Sequence, residues 1–351
     1  MSAPDIYDQR SRERVIAEDS TVTLDFDEAS WDMAGSLALS TQLSTGRTLI
    51  KLAERGHDDL VVCTADLGRP TQVIDFGRRY PERYYNFGIA ERNMIGAAAG
   101  LATTGWLPVI SNYSFFLALM GLENIRNDIC YPNLKVRLVG THSGIAMGFY
   151  GTSHHSNEDI GALRALANLV LMAPCDANAI EAALTATIDH EGPIYFRCGR
   201  GRETPVYATP PDWRIGGSNR LRAGKDATIL ASGVEVAFAL EAADQLAAEG
   251  IEVEVLDMYS IRPIDETPIL EAARRHGRLF TAEEHNVTGG FASAVADVLA
   301  DHGVGAKLTR IGLPDSYAIL GPPTHLYRHY AMDGAGIAER LRRSLRGDDR
   351  S

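Results

Sequence analysis

One carboxylate, Glu91, is the side chain in this sequence best placed for acid–base chemistry. It lies in the stretch 84–94, where the chain turns from charged to apolar. Ile89, Met94 and Ala98 recur there at helical spacing, which predicts a helix that begins near Ile89 and buries one face. A glutamate in its first turn would be largely excluded from water and suited to proton transfer. The alternative is a solvent-facing glutamate that interacts with the helix dipole.

Two histidines lie in a glycine-rich loop that could contact a substrate. His142 is followed by Ser143 and Gly144, and His154 comes three residues after Gly151. Glycine lets the backbone approach a ligand closely. The pair His154 and His155 could suggest a metal site, but adjacent side chains in a strand or loop point apart and no third ligand follows at a recognisable spacing. No metal site is predicted on this chain.

Alternating strands and helices must position these residues. In the first part of the chain, one helix is predicted over 33–55 and a second begins near 89. Two more are predicted, one ending at about 130 and one ending at about 190. The strands predicted there are 58–63, 107–111, 135–140, 169–172 and 194–197. The second part has predicted strands at 227–231, 251–256, 278–281 and 307–311, and predicted helices at 234–249, 266–275, 292–301 and 336–345. This order is typical of an α/β protein with two three-layer α/β/α domains and mostly parallel sheets.

The chain length and the positions of prolines and glycines predict the domain bounds. A chain of 351 residues is long enough for about two domains. The polar stretch 1–35 is interpreted as an N-terminal arm, followed by a first domain over 36–204. Prolines and a glycine pair mark a linker at 205–217, and a second domain covers 218–346.

Composition excludes several classes of protein. A net charge of −12 argues against binding to a nucleic-acid backbone. The four cysteines lie far apart, without a Cys-x-x-Cys pair, so neither a disulfide framework nor a zinc site is indicated. There is no apolar signal region and no run of ~18 apolar residues. We therefore expect a cytoplasmic protein that is neither exported nor bound to a membrane.

Residues 88–102 resemble a signature of the transketolase superfamily of thiamine diphosphate enzymes. They read Gly-Ile-Ala-Glu-Arg-Asn-Met and end in Ala-Ala-Gly-Leu-Ala, and the segments 131–134, 283–286 and 311–315 are similar to the same family. The resemblance extends over about nine tenths of the chain. It implies that 36–204 is a pyrimidine-binding domain and 218–346 a transketolase C-terminal domain. It also implies that Glu91 hydrogen-bonds N1′ of the cofactor aminopyrimidine, favouring the imino tautomer that removes the thiazolium C2 proton.

The resemblance assigns further residues to the cofactor. Phe116 would stack on the aminopyrimidine face, with Tyr113 beside it, since an aromatic ring suits a flat heterocycle. Asp66 and Leu67 lie in a turn similar to the family's Ser-Ala-Asp-Leu at the cofactor. The alternatives are a plain core aromatic at Phe116 and a simple turn former at Asp66.

The resemblance also implies the substrate contacts. His142 and His154 correspond to histidines that touch the substrate and assist catalysis. Arg200 and Arg47 correspond to arginines that bind a substrate phosphate, and a guanidinium fork suits that group, although a solvated basic loop explains either one alone. Tyr150 stands where the family has an aspartate that contacts a sugar hydroxyl, which predicts a different donor or acceptor preference.

One motif of these enzymes is missing. The family binds the cofactor diphosphate through Mg²⁺ at a Gly-Asp-Gly segment followed by Asn, and this sequence contains no Gly-Asp-Gly. The resemblance therefore implies the C-terminal subunit of a split transketolase, which transfers a two-carbon ketol unit between sugars that carry a phosphate or another anion. The Mg²⁺ ligands are expected on an N-terminal partner subunit, in a two-fold heterotetramer with two copies of each chain.

Three alternatives remain open from the sequence. A 2-oxo-acid dehydrogenase beta subunit shares the two-domain plan and a His-His-Ser segment like 154–156, but 131–133 and 284–286 favour transketolase. An enzyme like deoxyxylulose-phosphate synthase is less favoured, because such enzymes are normally single chains. A non-catalytic assembly subunit is disfavoured by the intact Glu91 and Phe116.

Overall fold

A computed structural model describes residues 41–201 and 203–347 of the chain. The predicted N-terminal arm at 1–35 and the start of the first predicted helix lie outside this range. Within it, strands and helices alternate as predicted, and they form two mostly parallel sheets with flanking helices. The α/β fold class predicted from the sequence is thereby confirmed.

The first sheet has seven strands in the order β10-β5-β6-β4-β3-β1-β2. They are β1 (Leu60–Thr64), β2 (Tyr84–Asn86), β3 (Leu107–Tyr113), β4 (Arg137–Thr141), β5 (Val170–Met172), β6 (Ile194–Arg197) and β10 (Ser260–Arg262). Its helices are α1 (Thr41–Glu54), α2 (Ile74–Arg79), α3 (Glu91–Thr103), α4 (Leu122–Asn124), α5 (Asp159–Leu163) and α6 (Ala177–Thr187). Strands β1, β4 and β6 are buried throughout, as expected for parallel strands covered on both faces.

The second sheet has five strands in the order β12-β11-β8-β9-β7. They are β7 (Asn219–Arg222), β8 (Ala227–Ala231), β9 (Val253–Asp257), β11 (Arg278–Asn286) and β12 (Lys307–Leu313). Its helices are α7 (Glu235–Ala247), α8 (Glu266–His276), α9 (Phe291–Asp301), α10 (Pro323–His329) and α11 (Gly334–Arg346). Only β7 among these strands runs antiparallel to its neighbour, and it closes the sheet at one edge.

Strand β10 joins the two halves of the chain. It follows β9 in sequence, within the stretch predicted as the second domain, yet it pairs antiparallel with β5, with Ser260 opposite Met172. The residue before it, Tyr259, stacks on Trp213 at 3.9 Å between ring centroids. The second half of the chain thus contributes a strand to the first sheet, and the ring stacking packs the stretch between the two sheets against this strand.

The segment 116–130 differs from the regular helix predicted there. It consists of two π-helical stretches, Phe116–Met120 and Ile125–Cys130, on either side of α4. Gly121 ends the first stretch, and it lies so close to Ile95 of α3 that a Cβ atom at this position would overlap that side chain. Widened helical turns are frequent at functional sites, and this one begins at a predicted cofactor residue.

Local capping explains several helix ends. Asp176 accepts a hydrogen bond from the Ala179 N–H at 2.8 Å and begins α6. Asp333 likewise accepts a hydrogen bond from the Gly336 N–H, at 2.9 Å, and begins α11. Helix α8 ends at Gly277, which has a φ of 63°, a left-handed conformation that costs glycine least.

The structure also describes the features that relate to membrane spans and to disulfides. Among the helices of the described residues, none has the length and the apolar character needed to cross a bilayer. All four cysteines are buried as free thiols. Burial raises the pKa of the Cys63 thiol to about 12, so it stays protonated at neutral pH.

A buried carboxyl, Asp257, should make stability depend on pH. It is fully buried at the end of β9 and accepts a hydrogen bond from the Tyr207 hydroxyl at 2.7 Å. Burial raises its pKa from 3.8 to about 7. The folded chain therefore binds a proton that the unfolded chain has released, and the stabilisation is lost as pH rises through this window.

We expect Asp257→Asn to remove that contribution. Between pH 5 and 6.5 the free energy of unfolding of the wild type should fall relative to the variant by up to about 1.4 kcal/mol per pH unit. Urea unfolding at these two pH values measures the difference. The exposed Asp212→Asn should keep the wild-type slope, and equal slopes for wild type and Asp257→Asn would contradict the prediction.

Candidate active site

Glu91 is the first residue of α3, and only 6% of its surface is exposed. No residue in 41–201 or 203–347 donates a hydrogen bond to its carboxylate or pairs with it. A buried acceptor without a donor is costly, so this carboxylate is available to a ligand that brings one. The predicted burial of Glu91 is therefore confirmed.

One detail of the predicted helix is wrong. The helix begins at Glu91 rather than near Ile89, and the Ile89 side chain is 85% exposed. Its apolar face consists of Met94, Ile95 and Ala98, all fully buried. Ile89 is five residues before Met94, outside the i+3 and i+4 spacing of this face, and it lies one residue after Gly88, where a φ of 70° turns the chain before the helix starts.

Five predicted site residues form one group of rings, which we call the aromatic cluster: Tyr113, Phe116, His142, Tyr150 and His154. Tyr113 lies at the end of β3 and stacks on the half-buried Phe116 at 5.8 Å between centroids. His142 follows β4 and contacts Tyr113 at 4.1 Å. Strands β3 and β4 are parallel neighbours, so their carboxyl ends meet at one edge of the sheet.

His154 completes the aromatic cluster. Its ring lies 5.1 Å from Phe116, 6.3 Å from Tyr113 and 5.0 Å from Tyr150. The next residue, His155, is buried and hydrogen-bonds the Gly148 carbonyl through Nε2 at 3.1 Å. The two adjacent histidines therefore have different surroundings. Within the described parts of the chain, no three His, Cys, Asp or Glu side chains converge as metal ligands.

Hydroxyl groups orient both histidines of the cluster. Thr141 donates to the Asn112 carbonyl at 3.3 Å, so its oxygen can accept Nδ1–H of His142 at 3.0 Å. Ser153 donates to the Tyr150 carbonyl at 3.3 Å and can likewise accept Nδ1–H of His154 at 2.9 Å. With this tautomer, Nε2 is the basic nitrogen of each ring. The sequence analysis did not identify these hydroxyls, although each directly precedes its histidine.

The histidines of the cluster are neutral at neutral pH. Burial lowers the pKa of His142 well below its ordinary value, and the nearby charge of Arg200 and the His154 ring lower it further. Burial also lowers the pKa of His154. A neutral imidazole with an oriented Nδ1–H can accept a proton at Nε2.

Arg200 lies beside the cluster, because the His142 N–H donates to the carbonyl of the preceding residue, Gly199, at 3.1 Å. Arg200 is half-buried, and Nη1 donates to the Ala146 carbonyl at 3.1 Å. It follows β6, the next parallel neighbour of β4. Arg47, the other predicted anion-binding arginine, is on α1 with an exposed side chain and is not a member of the cluster.

Asn86 connects the other predicted cofactor turn to Gly88, three residues before Glu91. Asp66 follows β1 with a φ of 59°, its side chain is exposed, and its N–H donates to Asn86 Oδ1 at 2.9 Å. The same oxygen accepts the Gly88 N–H at 3.1 Å. Leu67 beside it is half-buried. Sequence reasoning missed Asn86, whose only signal is its place at the end of a strand just before Gly88.

These residues fit a planar, nitrogen-containing heterocycle. Glu91 offers a buried acceptor, and Phe116 offers a half-buried aromatic face. The elements that carry them are in contact, since Arg92 of α3 donates to the Met120 carbonyl at 3.3 Å. A buried carboxylate can exchange a proton, and an aromatic face can stack on a ring.

Comparison with known proteins identifies the family of this chain. The family model for the transketolase pyrimidine-binding domain matches residues 38–203, and the model for the transketolase C-terminal domain matches residues 216–337. A protein of Methanocaldococcus jannaschii, named for the C-terminal section of a transketolase, is 39% identical over 86% of this chain and 95% of its own length.

Two further relatives cover the same part of the chain. The 1-deoxy-D-xylulose-5-phosphate synthase of Syntrophotalea carbinolica is 38% identical over 86% of this chain, which spans only 48% of that enzyme. A solved structure described as a split-gene transketolase, inactive beta4 tetramer, has a TM-score of 0.79 and 38% identity, covering 88% of this chain and 98% of its own. With both family models matched in order over most of its length, this chain belongs to the transketolase family.

Proposed function

We propose that this chain is the pyrimidine-binding and C-terminal subunit of a thiamine diphosphate-dependent transketolase that transfers a two-carbon ketol unit between sugars. The observation that carries the proposal is the buried Glu91 carboxylate at the start of α3, which has no hydrogen-bond donor within the described residues. In this family the acceptor suits N1′ of the cofactor aminopyrimidine, against which Phe116 would stack.

In this proposal, Glu91, His142 and His154 have separate roles in proton transfer. Glu91 holds a proton at the ring nitrogen of the cofactor and exchanges it during each turnover. The cofactor, when bound, supplies the electron sink that ketol transfer requires. His142 and His154 accept or return substrate hydroxyl protons at Nε2, because Thr141 and Ser153 orient their Nδ1–H groups.

The remaining cofactor contacts belong to a second polypeptide. This sequence has no Gly-Asp-Gly segment for the diphosphate and its Mg²⁺. A similar chain, the split-gene transketolase, was solved as an inactive tetramer of beta subunits, which supports the need for a partner. We propose a two-fold heterotetramer in which the N-terminal subunit supplies the Mg²⁺ ligands.

The proposal is tested by reconstitution. The chain is co-purified with a polypeptide that carries Gly-Asp-Gly, and ketol transfer between sugar phosphates is assayed with thiamine diphosphate and Mg²⁺. The similarity to 1-deoxy-D-xylulose-5-phosphate synthase favours one other activity, so formation of 1-deoxy-D-xylulose 5-phosphate is assayed in parallel. A complex that forms this product and transfers no ketol unit would replace the transketolase proposal.

Substrate preference should depend on Arg200. Its cation lies beside the aromatic cluster, while Tyr150 places an uncharged ring, 59% exposed, where an aspartate is usual in this family. Losing a charged hydrogen bond costs on the order of 1.5–3 kcal/mol, so Arg200→Ala should lower kcat/KM for a phosphorylated substrate roughly tenfold to a hundredfold. The loss on an unphosphorylated analogue should be small.

Steady-state kinetics of the reconstituted complex on both substrates measure this difference. The exposed Arg126→Ala, on the second π-helical stretch, provides a control for the loss of a surface cation. An equal loss on both substrates would mean that Arg200 acts through its bond to the Ala146 carbonyl, and the anionic-substrate proposal would be abandoned.

A further inference from the structure

Strand β11 of the second sheet ends in a run of buried polar residues that reach across to the first sheet. Glu283, Glu284 and His285 are each 1% exposed. Glu283 caps a helix of its own half, accepting the N–H groups of Phe291 and Ala292 at 2.5 and 2.9 Å. The next three residues instead contact the loop that carries His142 and His154.

Glu284 holds the beginning of that loop. Its Oε1 accepts the Ile145 N–H at 2.9 Å and the Tyr327 hydroxyl at 2.6 Å. Gly144 lies so close that a Cβ atom there would overlap the Glu284 carboxyl, and its φ of 57° also favours glycine. Ile145 is three residues after His142, so this bond fixes the backbone next to the aromatic cluster.

His285 and Asn286 hold the end of the loop. His285 donates Nδ1–H to the Asn286 carbonyl at 2.7 Å, which leaves Nε2 to accept the Gly161 N–H at 3.2 Å. The Asn286 N–H donates to the Asn157 carbonyl at 2.9 Å. Asn157 is three residues after His154.

Bonds within the first half join these two points. Gly144 and Ser156 exchange backbone hydrogen bonds at 3.1 and 2.9 Å, which closes the loop. Arg197 then links both sides, since Nη2 donates to the Ser156 carbonyl at 3.0 Å and to the Glu284 carbonyl at 2.8 Å. Arg197 is itself held by a buried ion pair with Asp159 at 2.9 Å.

We propose that Glu284, His285 and Asn286 form an interdomain clasp that positions the loop 142–161, and that Glu284 is a positioning residue of the active site. The effect on turnover rests on the proposed function, but the effect on the loop does not. The Glu284 side chain bonds Ile145 and Tyr327, so in this proposal its effect on the active site is indirect. It acts through Ile145, which sets where His142 presents its ring to Tyr113.

Glu284→Leu removes the acceptor, whereas Glu284→Gln keeps an oxygen in the same place. In the full chain, hydrogen exchange followed by mass spectrometry should show peptides covering 142–157 exchanging roughly tenfold faster in Glu284→Leu and near the wild-type rate in Glu284→Gln. Glu283→Leu removes an equally buried acceptor one residue away. It should speed exchange near Phe291 and leave the loop unchanged.

In the reconstituted complex, Glu284→Leu should lower kcat/KM for a sugar phosphate roughly tenfold, and Glu284→Gln should restore most of it. If Glu284→Leu does not fold, Glu284→Asp replaces it, because the shorter carboxylate does not reach the Ile145 N–H. The clasp is overturned if the loop exchanges at the wild-type rate in a folded Glu284→Leu or Glu284→Asp variant. It is also overturned if Glu283→Leu speeds exchange in the loop equally. Absence of ketol transfer in the wild-type complex counts against the proposed function, and loop exchange still decides the clasp.

Discussion

Replacing Glu91 with glutamine is expected to abolish turnover of the reconstituted complex while the chain stays folded. The carboxamide keeps the size of the side chain but cannot exchange a proton with the cofactor ring nitrogen. Because the Glu91 carboxylate receives no hydrogen bond from the described residues, the substitution breaks no internal bond. Thermal unfolding of the chain alone should therefore match the wild type.

The direct measurement is hydrogen–deuterium exchange at C2 of the bound cofactor. In deuterated water it should slow by several orders of magnitude in Glu91→Gln. Glu123→Gln is a matched control, since Glu123 is 62% exposed and pairs with Arg92, the residue after Glu91. Exchange at the wild-type rate in Glu91→Gln would remove Glu91 from the mechanism, whatever its effect on turnover.

The second large effect concerns the partner. We expect the purified chain alone to show no ketol transfer with thiamine diphosphate and Mg²⁺, because it lacks a Gly-Asp-Gly segment and its described residues contain no metal-ligand cluster. Charged diphosphate oxygens need cations or donors to replace water, and without them the cofactor is held only at its ring end.

The assay compares the chain alone, the partner alone and the two together at equal active-chain concentration. Activity should appear only in the mixture, and size-exclusion chromatography should show both chains in one complex. Ketol transfer by the isolated chain, free of any second polypeptide, would refute the prediction and place the diphosphate site on this chain.

The sequence predicted the strands that are buried on both faces. Strands β6 and β8 have the predicted bounds, because a strand covered on both faces reads as a continuous apolar run. Strand β11 was predicted to end at 281 but continues to Asn286. Its last residues are polar, and Glu284 and Asn286 bond Ile145 and Asn157 in the other half of the chain, so a search for an apolar run does not find this end of the strand.

Much of the candidate site was also accessible from the sequence. Tyr113 ends a strand and His142 and Arg200 each follow one, and parallel neighbours bring their carboxyl ends to one edge of a sheet. That rule predicts from the sequence alone that the three residues lie close together. Their roles toward cofactor and substrate came from the family resemblance, and the proposed experiments test them.

By itself, then, the sequence determined the fold class, the family and the buried carboxylate at the start of α3, since each is encoded in short-range pattern and spacing. Tertiary structure alone decided that β10 crosses to the other sheet, that 116–130 widens into π-helical turns, and that Glu284 holds the loop at Ile145. The reason is physical: strand edges and buried hydrogen bonds choose partners by proximity in space, and Ile145 and Glu284 are 139 residues apart in the chain.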